Sequence, residues 1–378
     1  MKTRVGIIFG GRSGEHEISV RSAENVIGAL DSDKYDVVPI SIDLDGRWLS
    51  PSASASLLGR EADSLVENVP QIESDAEVGM FGDPRTHGLT LTGGGAGEVT
   101  ELRLDVVFPV LHGTFGEDGT IQGLLDMAGI PYVGCGVLGS ACGMDKVVMK
   151  SLFHEAGLPM CKYVWFLRRE WESGPEEIIE RVEHTLGYPC FAKPANLGSS
   201  VGISKAVDTE SLKAAIELAA RYDRKIIIEE GLQMREIECA ILGNDEPEAS
   251  QPGEYIIIDE TKSFLDFEEK YSGTGNNEFV VPAPISDELS AKIRKMAITA
   301  FKAIDGSGLA RVDFFLRDDD GSLVINEINT MPGLTPASGY PKMWEGSGRP
   351  FSSVLDRLIE LALERHEDRQ RNCTVRLN

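Results

Sequence analysis

The chain lacks most of the features that assign a function class at a glance. Basic residues are outnumbered, 37 against 61 acidic, giving a formal net charge of −24 over 378 residues. That balance disfavours nucleic acid and anionic membrane as partners. Any phosphate site must then be assembled locally, from a few lysines and backbone N–H groups. Only six cysteines occur, Cys135, Cys142, Cys161, Cys190, Cys239 and Cys373, with no C-x-x-C pair and no zinc spacing. They read as reduced thiols of a cytosolic protein. No apolar run approaches a membrane span. The opening MKTRVGIIFGG has too short an apolar stretch for a signal peptide and flows into a strand and loop. No internal repeat is found. The first loop, Gly10-Gly11-Arg12-Ser13-Gly14, is neither a P-loop nor a G-x-G-x-x-G turn. The length suggests two or three domains with ample core.

What is present concentrates in residues 308–333, GLARVDFFLRDDDGSLVINEINTMPG. This reads as two strands joined by a tight acidic turn, Asp318-Asp319-Asp320-Gly321. Side chains two apart in a strand share a face. Arg311 and Asp313 therefore point one way, as do Glu327 and Asn329 on the second strand. Pairing the strands puts one cation, two carboxylates and one amide oxygen on a single patch. Hard oxygen donors of this kind suit Mg²⁺, which takes one or two carboxylates and fills its shell with water and phosphate oxygens. An arginine beside them suits a developing oxyanion or phosphate. The competing reading is a solvated polar face of a hairpin.

Before the hairpin, short apolar runs alternate with helical patterns. Residues 4–9 form a buried strand. Val20, Ala23, Val26, Ile27 and Leu30 then recur at helical spacing, and residues 36–42 form a second strand. This opens a parallel α/β domain. Glu15 starts the helix, where a carboxylate either complements the helix dipole or anchors a substrate ammonium. Residues 50–103 are weakly patterned and read as an excursion with little chemistry. A strand ending at His112 leads into Thr114-Phe115-Gly116-Glu117-Asp118-Gly119. Loops after strand C-termini are where open α/β sheets bind ligands, so His112 and Glu117 are candidates. A second domain begins near Gly136. Ser140 reads as the N-cap of one helix ending at Gly157, with Met144, Val147, Val148 and Leu152 as its stripe and Lys146 off it.

Further on, a strand ends at Lys193-Pro194, and the Gly/Ser loop at 196–202, which holds Ser199 and Ser200, offers donors to phosphate oxygens. The apolar strand at 226–228 turns acidic at Glu229-Glu230-Gly231-Leu232, which suits an adenine slot. Glu236 and Glu238 alternate outward against Ile237, Cys239 and Ile241. A carboxylate there either takes ribose hydroxyls or faces solvent. Residues 263–278 form a long polar loop with Lys270 and Tyr271 in its middle, where closure would swing them over a site. Residues 333–339 form another glycine-bounded loop of anion-binding type.

Taken in order, Lys146, Lys193 with its loop, residues 229–232, Glu236, Lys270, Arg311, Asp313, Glu327 and Asn329 resemble the ATP-grasp superfamily. More narrowly, GGRSGEHEISV, LHGTFGEDGTIQGLL, Met144-Asp145-Lys146, KPANLGSSVGISK, REIECAILGN, EEKY, ARVDFF and EINTMPGLT resemble the D-alanine–D-alanine ligase family. The resemblance covers nearly the whole chain, least informatively at 50–103. It implies an α/β fold, α+β in the C-terminal part, with three domains around one central cleft: 1–135, 136–230 and 231–378. ATP would lie between the second and third, its adenine at Glu230 and Leu232 beside Glu229 and its ribose on Glu236. Lys146, Lys193 and Lys270, with Ser200, would meet its phosphates. Asp313, Glu327 and Asn329 would hold two Mg²⁺ ions, with Mn²⁺ as the alternative. Glu15 would bind the ammonium of a first D-alanine, in a trio with Ser199 and Tyr271. Arg311 and the Gly333 N–H would face the reacting carboxylate. His112, Ser338 and Gly339 would border the substrates, with Ser338 on the carboxylate of a second D-alanine.

The implied reaction makes an acyl phosphate from one D-alanine and ATP, which the amine of the second then attacks. It would serve cell-wall precursor synthesis in the cytoplasm, and the enzyme would be a homodimer. Gly339, with Pro336-Ala337, stands where the family pattern has bulkier residues, and Thr114-Phe115 replaces a Pro-aromatic pair. Both departures bear on acceptor selectivity. Tyr271 points to an amine acceptor, because relatives that use D-lactate lack it. The rivals are another ATP-grasp carboxylate–amine ligase and a non-catalytic nucleotide-binding regulator.

Overall fold

The computed structural model of the chain describes residues 2–60, 77–80, 82–86, 88–93, 98–198, 201–257 and 277–373. Nearly continuous apolar runs near residues 5–9, 37–42 and 106–110 become strands buried on both faces, as a central parallel sheet demands. The first unit runs β1 (Thr3–Gly10), α1 (His16–Ala29), β2 (Tyr35–Ile42), α2 (Pro51–Leu57), β3 (Glu77–Met80), β4 (Gly88–Gly93), β5 (Glu98–Arg103), β6 (Val106–Val110) and α3 (Thr120–Met127). β2, β1 and β6 are parallel neighbours, with Val5 opposite both Val37 and Val106. The C-terminal ends of β1 and β6 feed the loops that carry Glu15 and His112.

Residues 50–103 hold more structure than their composition suggests. Ser50 caps α2 by accepting from the Ala53 N–H at 3.2 Å. β3, β4 and β5 form an antiparallel meander. Leu89, Leu91, Leu102 and Leu104 bury against Ile8, Val38 and Ile40 of the parallel sheet. This period-two signal is diluted in the sequence by the glycines and acids around it.

The single helix expected up to Gly157 is two helices, α4 (Val137–Met144) and α5 (Lys146–Glu155). The break has a local cause. Asp145 is extended and its carboxylate accepts from the N–H groups of Val147 and Val148 at 3.0 and 3.1 Å, capping α5. Ser140 lies inside α4 instead of capping it, and Gly136 is the N-cap residue. The inward side of α5 is Val147, Met149, Lys150 and Phe153, while Val148 is exposed.

The second unit runs β7 (Tyr163–Leu167), α6 (Arg168–Ser173), α7 (Pro175–Thr185), β8 (Cys190–Pro194), β9 (Ser204–Ala206), α8 (Thr209–Tyr222) and β10 (Lys225–Glu230). Its antiparallel sheet has the order β7-β10-β8-β9. Ile178 and Val182 of α7 and Leu212 and Ile216 of α8 cover one face. The third unit runs β11 (Met234–Gly243), β12 (Glu248–Ala249), β13 (Gly253–Ile257), β14 (Asn277–Val280), α9 (Asp287–Ala303), β15 (Gly308–Arg317), β16 (Leu323–Asn329), α10 (Gly339–Gly346) and α11 (Phe351–Gln370). Its sheet is antiparallel, ordered β14-β13-β11-β15-β16, with β12 on β11.

Alternation along β11 and β15 splits this sheet into two chemistries. Ile237, Cys239, Ile241, Val312 and Phe314 pack on α9. The opposite side carries Ala240, Leu242 and Leu309 under α10 and α11 at one end. At the other end it leaves Glu236, Glu238, Arg311 and Asp313 to a cleft. Glu238, which alternation left as either a ribose contact or a solvated strand residue, is buried. Helix α11 also packs on α1 and β6, within the core that includes Val5 and Ile7. Arg365 donates to the Tyr132 carbonyl at 2.8 Å, and Tyr35 donates to Asp356 at 2.9 Å. The last helix thus holds the first unit, with its Glu15 loop, over the third-unit sheet. No helix among the described residues is long and apolar enough to cross a membrane.

Candidate active site

The floor of the cleft is the β15–β16 hairpin. Register puts Asp313 opposite Glu327 and Arg311 opposite Asn329, with an irregularity at Asp313/Phe314. Arg311 grips Asp313 as a fork, Nε to Oδ1 and Nη2 to Oδ2, both at 2.7 Å. Its Nε also lies 3.4 Å from Glu238 Oε1. Asn329 donates to Asp313 Oδ2 at 3.1 Å. Three members of the patch read from period two, Arg311, Asp313 and Asn329, are therefore one hydrogen-bonded cluster, with Glu327 opposite Asp313 on the next strand.

One wall comes from the second unit. Lys146, the first residue of α5, donates to the Leu197 carbonyl at 2.9 Å and stands 3.5 Å from Glu327. Lys193 on β8 meets Glu229 at 2.6 Å. Burial opposes ionisation of Glu327, but Lys146, Lys193 and Arg311 overrule it and hold its carboxyl below the usual range. The same balance acts on Glu229, where Lys150 and Lys193 overcome burial.

The other wall comes from the first unit. Ser13 donates to the His112 carbonyl at 2.8 Å and accepts from the Glu15 N–H at 3.2 Å, so the two loops are tied together. Gly113 adopts φ +73°, and a methyl group built on it would lie 2.4 Å from Glu15 Oε2. The Gly113 N–H donates to Glu117 Oε1 at 2.9 Å. Two carboxylates thus flank one glycine. Burial, then the neighbouring Glu15 charge, push the Glu117 carboxyl up to about 8.

His112 is 3 % exposed. Its Nδ1 bonds the Met331 carbonyl at 3.0 Å and its Nε2 bonds Ser22 Oγ at 3.0 Å, while Ser22 accepts from the Leu334 N–H at 3.1 Å. Burial holds its pKa down to about 4, so the ring is neutral at physiological pH. This chain of bonds brackets Gly333 on both sides and fixes the loop that brings it to the cleft.

The cleft is lined by Glu15, His112, Lys146, Lys193, Glu236, Arg311, Asp313, Glu327, Asn329 and Gly333, all singled out from sequence. Glu229 sits behind Lys193. Glu230 and Leu232 stand at the β10 exit, where Glu230 accepts from the Lys162 N–H at 2.8 Å. Ser338 is buried, with its hydroxyl bonded to Thr335 Oγ1 at 2.8 Å and to the Thr335 N–H at 3.1 Å. Gly339 follows it at the start of α10, against Glu238 and Phe279. Neither residue is part of the cleft lining. Ser199, Ser200, Lys270 and Tyr271 lie outside the described residues.

Comparison with known proteins gives a consistent result. A family model described as the D-ala D-ala ligase N-terminus matches residues 4–135, and one for the C-terminus matches residues 152–360. The D-alanine–D-alanine ligase of Geobacillus thermodenitrificans is 50% identical over 371 residues, covering 98% of each chain. That of Heliobacterium modesticaldum is 48% identical, covering 100% of this chain and 99% of its own. Among solved structures, the ligase from Coxiella burnetii superposes with a TM-score of 0.80 at 35% identity, covering 98% of each chain. A D-Ala:D-Ser ligase from Enterococcus faecalis gives a TM-score of 0.80 at 35% identity, covering 96% of this chain and 100% of its own.

The chain belongs to the D-alanine–D-alanine ligase family. The ATP-grasp fold expected from the resemblance follows from these neighbours. Within this ligase, two buried residues near the site escaped the sequence reading. Glu238 was legible only as a strand residue. Lys150, fully buried and 2.8 Å from Glu229, left one signal: a lysine on the inward side of α5, one turn after Lys146.

Proposed function

We propose that this ligase joins two D-alanine molecules into D-alanyl-D-alanine, driven by ATP and passing through an acyl phosphate. The observation that carries this reading is the convergence of Glu15, Lys146, Lys193, Arg311, Asp313 and Glu327 on one cleft. A carboxylate is a poor acylating agent, and bringing it to a phosphoryl group opposes two anions. Cation clamping and positioning therefore dominate the catalysis. Lys146 and Lys193 take phosphate oxygens. Glu15 takes the ammonium of the first D-alanine, and Arg311 with the Gly333 N–H takes its carboxylate. Lys270 and Ser200 also meet phosphate oxygens, Ser199 and Tyr271 join Glu15 at the first D-alanine, and exclusion of water protects the acyl phosphate. Ser338 and Gly339 border the second D-alanine, Glu236 the ribose, and Glu229, Glu230 and Leu232 the adenine side.

A divalent-ion site fits the residues present. Asp313 and Glu327 face each other across the hairpin and Asn329 adds an amide, an oxygen-rich set suited to Mg²⁺ shared with phosphates. When bound, two such ions, Mg²⁺ or Mn²⁺, would neutralise phosphate oxygens. We divide the chain as 1–135, 136–230 and 231–378, supported by the sheets, whose strands fall within those ranges. The enzyme acts in the cytoplasm as a homodimer. Met127 and Leu138, 69% and 59% exposed on α3 and α4, supply apolar surface for a partner.

The test is phosphate release from ATP with D-alanine, L-alanine, D-serine and D-lactate, alone and paired. Release is expected with D-alanine at neutral pH, with dipeptide far exceeding D-alanyl-D-lactate. Preferential depsipeptide formation, or release with an unrelated acid–amine pair alone, would overturn the assignment.

A further inference from the structure

Behind the phosphate wall lies a lysine that the reaction as described does not use. Lys150 is on the inward side of α5, one turn beyond Lys146, and no part of it reaches solvent. Its ammonium lies 2.8 Å from Glu229 Oε1, 3.3 Å from the Asn326 carbonyl and 5.8 Å from the Tyr163 ring centre. The second oxygen of Glu229, Oε2, lies 2.6 Å from Lys193. Glu229 is 3% exposed, while Lys193 reaches the cleft. One carboxylate is thus divided between two ammonium groups, one sealed in the interior and one facing the site.

Stability alone gives no reason to keep such an arrangement. A buried ion pair replaced by apolar residues of similar volume is often neutral or stabilising. Its charge count does give a reason: two ammonium groups and one carboxylate leave one positive unit. Without Lys150, Glu229 would pair with Lys193 alone and the sum would be zero.

We propose that Lys150 is a positioning residue that occupies half of Glu229 and so keeps the Lys193 charge available to nucleotide phosphates. This rests on the reading of Lys193 as a phosphate ligand. Lys150 also ties three elements together: α5, which begins with Lys146; β10, which carries Glu229; and β16, where Asn326 precedes Glu327. The interior lysine therefore sets both the charge and the spacing of groups that it never joins in the cleft.

The test measures ATP affinity by calorimetry without D-alanine, with steady-state KM for ATP and kcat alongside. Three proteins are compared: wild type, Lys150→Met and Lys150→Met/Glu229→Gln. The single variant should bind ATP about tenfold more weakly or worse, the effect of a unit charge across roughly 10 Å at an effective dielectric near 20. KM for ATP should rise more than kcat falls. Inorganic tripolyphosphate, which carries no adenine for Glu229 to border, is titrated into all three proteins as the second probe, and Lys150→Met should lose affinity for it in the same way. The double variant, whose charge sum is again plus one, should recover most of the tripolyphosphate affinity. A strut without this electrostatic role would instead make the double variant bind tripolyphosphate as weakly as the single one, or more weakly, and that result overturns the proposal. Wild-type affinity in Lys150→Met overturns it as well. Should the single variant not fold, the double variant decides, because it buries no unpaired carboxylate: a tenfold loss of tripolyphosphate affinity there refutes the inference. A wild-type enzyme that binds no ATP would remove the phosphate reading itself, a separate outcome.

Discussion

Replacing Gly113 with alanine should damage the first-substrate site without touching the nucleotide half. Two costs follow from its geometry. The residue sits at φ +73°, where an L side chain costs about 1–2 kcal/mol. The new methyl would also lie 2.4 Å from Glu15 Oε2. An ordinary contact there is about 1 Å longer, so the carboxylate must retreat by that amount, and a misplacement of about 1 Å can cost on the order of 10² in rate. Initial rates of phosphate release, with D-alanine varied at saturating ATP, should show that loss in kcat/KM for D-alanine. KM for ATP should stay near the wild-type value. Gly198→Ala is the graded control: its methyl would lie 3.3 Å from the same oxygen, and its backbone is not left-handed, so its effect should be smaller. A folded Gly113→Ala enzyme with wild-type kcat/KM for D-alanine would refute the placement of Glu15 on the ammonium.

Three other outcomes are expected. Arg311→Met should lower kcat/KM by roughly 10²–10³, as for removal of an oxyanion donor, and Arg311→Lys should restore little because a point charge cannot form the fork on Asp313; full activity in either variant sinks the role given to Arg311. Gly339→Met, which returns a bulky residue, should destabilise by about 1–3 kcal/mol through overpacking. Its Cβ would lie 2.3 Å from Glu238 Oε2 and 2.9 Å from Phe279 Cζ, so an undiminished melting temperature would contradict the packing. Glu117 should make stability pH-dependent. Burial and Glu15 push its carboxyl up to about 8 from an ordinary 4.5, so between those values the folded state binds more protons than the unfolded chain. The resulting stabilisation is complete below pH 4.5 and is lost as pH rises through 8. Glu117→Gln should flatten this decline in melting curves taken from pH 5 to pH 9, and an equally steep decline in the variant would count against it.

Some of this was legible in advance because it is local. The Arg-x-Asp and Glu-x-Asn faces of the hairpin follow from a period of two, and the tight acidic turn supplies the register. The start of α1 at Glu15 and the strand ending in Lys193 follow from equally short-range patterns. The helix break at Asp145 was within reach of the same logic, since Asp is a strong N-cap, but the apolar stripe running through it concealed the cap.

The sequence by itself determined which side chains share a face, because strand and helix periodicities are set by backbone geometry. Tertiary structure alone decided what lies against each face. Glu236 and Glu238 alternate identically along β11, yet one lies near the rim of the cleft and the other is buried beneath Arg311 and α10. Lys150 looks like any lysine on a helix until α5 docks and Glu229 arrives from a strand 79 positions away. Burial, charge sharing and close approach depend on elements remote in the chain, and no local pattern encodes them.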